Sequence, residues 1–119
     1  MITREGRADI REHVRTTFVY AQIGTGGDST NPNATDLDSP LEPSAGNREN
    51  IGSGTASGET SVDWKFTILG SNYVGHTIKE VGIFDANTAG NMLLRVSYDG
   101  IGPLTATDEI EFIITVEVD

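Results

Sequence analysis

Cysteine is absent from the 119 residues, which excludes a disulfide scaffold, a thiolate metal site and a cysteine nucleophile. Lysine is nearly absent, with Lys65 and Lys79 the only two. No stretch approaches the roughly 20 consecutive apolar residues of a membrane helix. Residues 1–20 open Met-Ile-Thr-Arg-Glu-Gly-Arg-Ala-Asp, too charged for the apolar region of a signal peptide. A soluble chain is expected, and any export would need a route other than a cleaved leader. Histidine is limited to His13 and His76, one in a helical segment and one beside a glycine turn, so no histidine cluster at metal-ligand spacing forms.

What is present is acidic. The formal net charge is −10. Arg4, Arg7, Arg11 and Arg15 outweigh Glu5, Asp9 and Glu12 only slightly, so residues 1–15 are close to neutral and the remainder carries the negative charge. Such a body repels a phosphate backbone, and neither nucleic-acid nor membrane binding is expected. An acidic, lysine-poor surface is also what proteins of salt-loving organisms carry, where screening removes the self-repulsion.

Ile and Val together number nineteen against six Leu. Their β-branched side chains are stiff at χ1 and pack well on a pleated surface, which favours strands. The length suits one domain, residues 1–119, with a single core. Residues 3–15, within an N-terminal segment 1–15, read as a short helix capped by Thr3, with Ile10 and Val14 one turn apart. Thr16 to Ile23 reads as a strand closed by Gly24-Thr25-Gly26-Gly27. From residue 24 to 61 the chain is Gly, Ser, Thr, Asn, Asp and Pro, with Leu37, Leu41 and Ile51 its only large apolar residues. A polar third this long is uncommon in a compact domain, and it is expected to be an extended arm ordered by a neighbouring subunit.

Residues 62–118 carry the clearest pattern. Val62, Trp64, Phe66 and Ile68 alternate with polar residues, as half-buried strands do. Thr77 to Phe84 and Met92 to Tyr98 are two further strands around the turn 85–91. In the second of these, Met92, Leu94, Val96 and Tyr98 share one face. A last strand alternates Ile110, Phe112, Ile114, Val116 and Val118 with Glu109, Glu111 and Glu117. Short connections pair strands antiparallel, so the expected fold is all-β: an antiparallel β-sandwich with a short N-terminal α-helix and a long irregular loop or arm.

Candidate chemistry is sparse. Asp28, Asn31, Asn33, Asp36 and Asp38 crowd eleven residues with oxygen ligands, which suits calcium by chemistry. Their spacing lacks the glycine and the closing glutamate of the twelve-residue calcium loop, and Asx-turns account for the same residues. No other cofactor is expected. Asn33-Ala34-Thr35 fits a glycosylation sequon, a triplet that also arises by chance. The glycines of 24–27 match neither the dinucleotide nor the phosphate-loop pattern. Gly52-Ser53-Gly54 lacks the nucleophile-elbow spacing. Glu109, Glu111 and Glu117 alternate with apolar residues as the wet face of a strand rather than as paired acids in a cleft. No catalytic constellation assembles, and the chain is expected not to be an enzyme.

Several segments together resemble small β-modules of tailed-phage tail fibres, tail collars and related virion proteins. The matching segments are Tyr20-Ala21-Gln22-Ile23-Gly24-Thr25-Gly26, Leu41-Glu42, and above all Ile78-Lys79-Glu80-Val81-Gly82-Ile83-Phe84-Asp85-Ala86. Gly90, Leu93-Leu94-Arg95-Val96 and the closing strand from Asp108 to Val118 follow. The resemblance spans most of the chain, most specifically residues 78–96, and departs from the family in the Gly/Ser/Asn-rich insert at 43–60. It implies a non-enzymatic virion structural protein of a tail, baseplate or fibre, present as a homo-oligomer, with a trimer expected, anchoring other virion proteins after assembly in the host cytoplasm. The acidic surface turns the resemblance toward tailed viruses of salt-loving archaea. The chain stops at residue 119 without a shaft or head, which suggests a compact adaptor, collar or decoration subunit. Ile10, Val14, Leu37, Leu41 and Ile51 are the expected interface residues, contacts that a lone monomer would leave wet. Gly82 inside a strand suggests a bulge or a close backbone approach, and Glu80 and Arg95 an ion pair across two strands. Two alternatives stand beside this reading. One is a capsid-surface decoration or turret protein. The other is a carbohydrate-binding β-sandwich, which would need exposed aromatics clustered on one face and would allow contact with a host-surface glycan.

Overall fold

The alternating runs become the long strands of two antiparallel sheets, in a computed structural model that describes residues 1–27, 30–42 and 48–118. After helix α1 (Arg4–Thr17) come β1 (Tyr20–Gly24), β2 (Pro40–Leu41), β3 (Glu49–Asn50), β4 (Thr55–Ser57), β5 (Ser61–Leu69), β6 (Ile78–Phe84), β7 (Met92–Ile101) and β8 (Glu109–Glu117). One sheet runs β2-β1-β6-β7, with β3 also paired to β1; the other runs β4-β5-β8. Every pairing among the described residues is antiparallel. The fold is a small all-β sandwich with one N-terminal helix.

The core lies between the sheets. On β5, Val62, Trp64, Phe66 and Ile68 are buried while Lys65, Thr67 and Leu69 are exposed, so period two delivers one apolar row inward. That strand pairs with β8 without a break from Ser61↔Glu117 to Leu69↔Glu109. From the facing sheet, Ala21, Ile23, Ile78, Val81 and Ile83 join the same cluster, with Tyr73 and Leu104 closing it. Each fully buried large apolar side chain contributes on the order of 1.5–3 kcal/mol. A core of this size holds one domain with little excess.

Helix α1 outruns its expected end. Glu12 forms a two-bond ion pair with Arg15 at 2.9 Å, and the Thr16 hydroxyl donates to the Glu12 carbonyl at 2.7 Å. These local bonds carry helix through Thr17, so the strand expected from Thr16 begins only at Tyr20. Thr3 caps the other end, its hydroxyl accepting the Gly6 amide at 3.1 Å. No residue of the helix is buried. It is held to the body largely by guanidinium groups: Arg11 donates to the Gly58 carbonyl at 2.7 Å, Arg15 to Gly54 at 3.2 Å, and Arg4 pairs with Glu59 at 2.6 Å. Arg4, Arg11 and Arg15 therefore reach the segment 54–59 around this chain's own β4.

The described part of 24–61 is not an arm reaching away. It supplies β2, β3 and β4 to this chain's own sheets. Its residues 36–41 form a lid over the outer face of β6. Glu80, Gly82 and Phe84 alternate with the core residues Val81 and Ile83 and so lie on the outer face, yet all three are buried. Leu37 covers them: its Cδ2 lies 3.0 Å from where a Cβ on Gly82 would sit. The close approach expected at Gly82 is thus made by Leu37 and the Phe84 ring.

The wet-interface expectation is corrected with it. Leu37 is 5% exposed within the single chain. Val14, Leu41 and Ile51 pack against the chain's own core. Only Ile10 remains exposed.

Candidate interaction surface

Two features distinguish this molecule from a plain sandwich: a buried polar cluster under the lid, and an apolar cleft along one side. The cluster joins the segments on which the family resemblance rests. Glu80, 1% exposed, accepts the Ser39 amide at 3.4 Å through Oε1, while its Oε2 is buried without a hydrogen-bond partner. The loop leaving β1 crosses directly over this carboxylate. A Cβ on Gly24 would stand 2.6 Å from the Ser39 carbonyl, and one on Gly26 would collide with Glu80 Oε2 and Asp38 Cβ. The Gly24-Thr25-Gly26 spacing is therefore a steric requirement of Glu80 and the lid, beyond a turn at the end of a strand.

Burial raises the Glu80 carboxyl above its ordinary value, the Asp38 charge adds to the rise, and the Ser39 and Asp38 backbone groups and Arg95 oppose it. A raised carboxyl binds its proton more tightly in the folded chain. Its contribution to stability is thus full below the ordinary carboxylate value of 4.5 and is lost as pH rises through the shifted value. Arg95 does not form the expected pair with Glu80. Its register partner is Gly82, and its guanidinium pairs with Asp38 on the lid at 2.8 Å, with Nη2 left buried and unpartnered. The lid supplied a closer carboxylate than the neighbouring strand.

Arg48 fastens the other end of the same face. Its guanidinium stacks 3.5 Å from the centre of the Phe84 ring and donates to Gln22, Ala86 and Ala89 at 2.6–3.0 Å. Asp36 lies 3.8 Å away. These bonds fix the turn 85–91 against the sheet beside a polar hollow of about 330 Å³ lined in part by Asp36, Glu42 and Asn87. Nothing in the sequence marked Arg48, which sits alone in a polar run.

The oxygen-rich calcium candidates do not converge. Asp28 lies outside the described residues. Asn31 accepts the Asn33 amide, Asp36 accepts the Leu37 amide and Asp38 holds Arg95. Their oxygens serve turns and guanidinium groups, and among the described residues no group of three or more His, Cys, Asp or Glu is placed to hold a metal ion. Glu111 lies 3.9 Å from Lys65 on the outer face of β5 and β8. Trp64 and Tyr73 are buried, so neither belongs to an exposed aromatic platform.

The cleft lies where the sheets part. β7 ends one sheet and β8 the other, and among the described residues no strand pairs with either outer edge. Between them runs a cleft of about 380 Å³, floored and walled by Val96, Tyr98, Ile101, Ile110, Phe112 and Ile114. Val96, Ile101 and, on the outer face, Ile113 are exposed, Ile113 at 66%. Burial and the Glu80 charge push the Tyr98 hydroxyl up to about 12, and it has no hydrogen-bond partner. Long free edges beside apolar surface are liabilities that a monomer normally blunts. The sequence gives the alternation of both strands but not that they are edges, because sheet order depends on which strands close the core.

Compared with protein-family models and with curated proteins, the sequence matches neither.

Proposed function

We propose that the chain is a non-enzymatic structural subunit, working in many copies within a larger assembly, and that the assembly is the tail, baseplate or fibre of a tailed virus. The observation that carries the reading is the apolar cleft between two unpaired edge strands. Surface of this kind is a liability while uncovered, and repeated, symmetric contacts between copies are a common way to cover it. The virion assignment rests on the resemblance of residues 20–26 and 78–96 to tail modules. Both segments contribute to one packed unit, with Gly24 and Gly26 against Glu80, and Leu37 and Phe84 around Gly82. Imaging intact virus particles released from cells that produce this chain tests the assignment. Repeated density for the chain at tail, baseplate or fibre positions is the expected result, and particles lacking the chain would contradict it.

A further inference from the structure

We propose that the lid over β6 is a latch worked by a single proton: residues 37–39 stay shut while the Glu80 carboxyl beneath them is neutral, and lift when it ionises. The inference stands apart from the assembly reading and concerns the outer face of the sheet rather than the cleft.

The two ends of the lid are tied to the body by contacts that do not involve Glu80. Asp36 lies 3.8 Å from Arg48. Pro40 and Leu41 pair with Gly24 and Ile23 of β1, and the Leu41 carbonyl accepts the Gln22 side-chain amide at 3.2 Å. Between these anchors the lid rests on Glu80 and its neighbours. Leu37 covers Gly82 and Phe84, and Asp38 holds Arg95 at 2.8 Å. The Ser39 amide donates to Glu80 at 3.4 Å, and the Ser39 carbonyl accepts the Thr25 amide at 3.0 Å.

This span is a poor place for a second negative charge. Glu80 is 1% exposed, its Oε1 has a donor at a long distance for a carboxylate, and its Oε2 has none. Gly24 and Gly26 press the loop after β1 against the same carboxyl without adding a titratable group. From the lid, Glu80 faces Asp38, while Asp36 is turned to Arg48 and the Leu37 amide. From β7 it faces Arg95 and the Tyr98 hydroxyl, which burial and the Glu80 charge push up to about 12. Arg95 is the cation of this set among the described residues, and its Nη1 serves Asp38 and the Asp36 carbonyl. Ionising Glu80 therefore sets two carboxylates competing for one guanidinium in a buried site, where like charges repel strongly. Glu80 is fixed on β6, an interior strand of its sheet, whereas Asp38 sits on the lid. The lid is the part that can leave.

The direction follows from the balance at the carboxyl. Burial and the Asp38 charge raise it, and they outweigh Arg95 and the Ser39 and Asp38 backbone groups, which favour the charged form. The shut lid is thus fully favoured below the ordinary value of 4.5 and loses that advantage as pH rises through the raised one. Lifting uncovers Gly82 and Phe84, so apolar surface on the outer face becomes available as pH rises.

Amide hydrogen exchange of the native chain tests the latch, with each rate taken relative to the intrinsic rate at the same pH. Protection at Thr25 and Ser39 is expected to fall about tenfold or more between pH 4.5 and neutrality, because the lid equilibrium shifts by the same factor as the carboxyl's proton affinity. The fall should level off at the pH where the Glu80 carboxyl carbon titrates by nuclear magnetic resonance. Amides of β5 should remain far better protected than the lid throughout, and Glu80→Gln should hold protection at Thr25 and Ser39 constant. Constant protection in the native chain, or a fall that levels off away from the Glu80 titration, overturns the latch. So does a common protection for lid and β5 at every pH, or a fall that persists in Glu80→Gln.

Discussion

Trp64→Ala is expected to cost about 3–5 kcal/mol of stability, the range for removing a large buried aromatic. Against a total of about 5–15 kcal/mol for a domain, that brings the chain close to unfolding at room temperature. Trp64 is 1% exposed at the centre of the intersheet core, and its indole Nε1 donates to the Phe18 carbonyl at 2.9 Å. Phe18 caps helix α1, in which no residue is fully buried and Val14 alone of the apolar residues packs against the core. The substitution therefore opens a cavity and also loosens the helix, whose remaining ties are the Val14 and Phe18 packing, the Gly54 amide bond to the Arg15 carbonyl at 2.9 Å and the arginine contacts. Urea unfolding followed by far-ultraviolet circular dichroism measures the loss. A cost under about 1 kcal/mol, below the range for any large core truncation, would show that the sandwich does not depend on this residue.

Gly26→Ala is expected to cost about 1–3 kcal/mol through overpacking, because the new methyl group would collide with Glu80 and Asp38. The damage should be local: amide exchange at Thr25, which donates to the Ser39 carbonyl at 3.0 Å, and at Leu37 should accelerate more than in β5. Glu80→Gln is expected to act in the opposite direction. It removes a buried charge with an orphan oxygen, for a gain of about 1 kcal/mol at pH 7. That gain should vanish as pH falls below the ordinary carboxylate value of 4.5, where both side chains are neutral. A Glu80→Gln chain less stable than the native one at pH 7 would show that the carboxylate is a favourable partner of Arg95 after all.

The long strands were legible because alternation is a local property. Val62 to Ile68 and Ile110 to Val116 each write one apolar row, and each row faces the core. The helix was legible from Thr3 and the Ile10–Val14 spacing, and its extra turn was not, since Thr16 and Thr17 favour strands until Glu12 holds them in helix. The lid was misread because strands of two or three residues, such as Pro40–Leu41 and Glu49–Asn50, are too short to show a period. Their placement depends on β1, which lies far away in the sequence. Leu37, Leu41 and Ile51 stood out as isolated apolar residues in a polar run. That isolation marks contact with something, and the structure makes that contact its own sheet. Glu80 carried no sequence sign of burial, since a glutamate in an alternating strand reads as solvent-facing until a second layer covers it. The cleft was invisible for the reason already evident in its strands: an edge is defined by what does not pair.

Sedimentation equilibrium of the unmodified chain, over a wide concentration range at low and high salt, tests assembly most directly. Each chain carries a net charge of −10, so salt should screen the repulsion between copies and strengthen their association. The expected result is a mass that rises from 12.7 kDa to a defined multiple of it, at lower concentration in high salt. A single species of 12.7 kDa under every condition would mean that the cleft between β7 and β8 stays open in a finished, solitary protein.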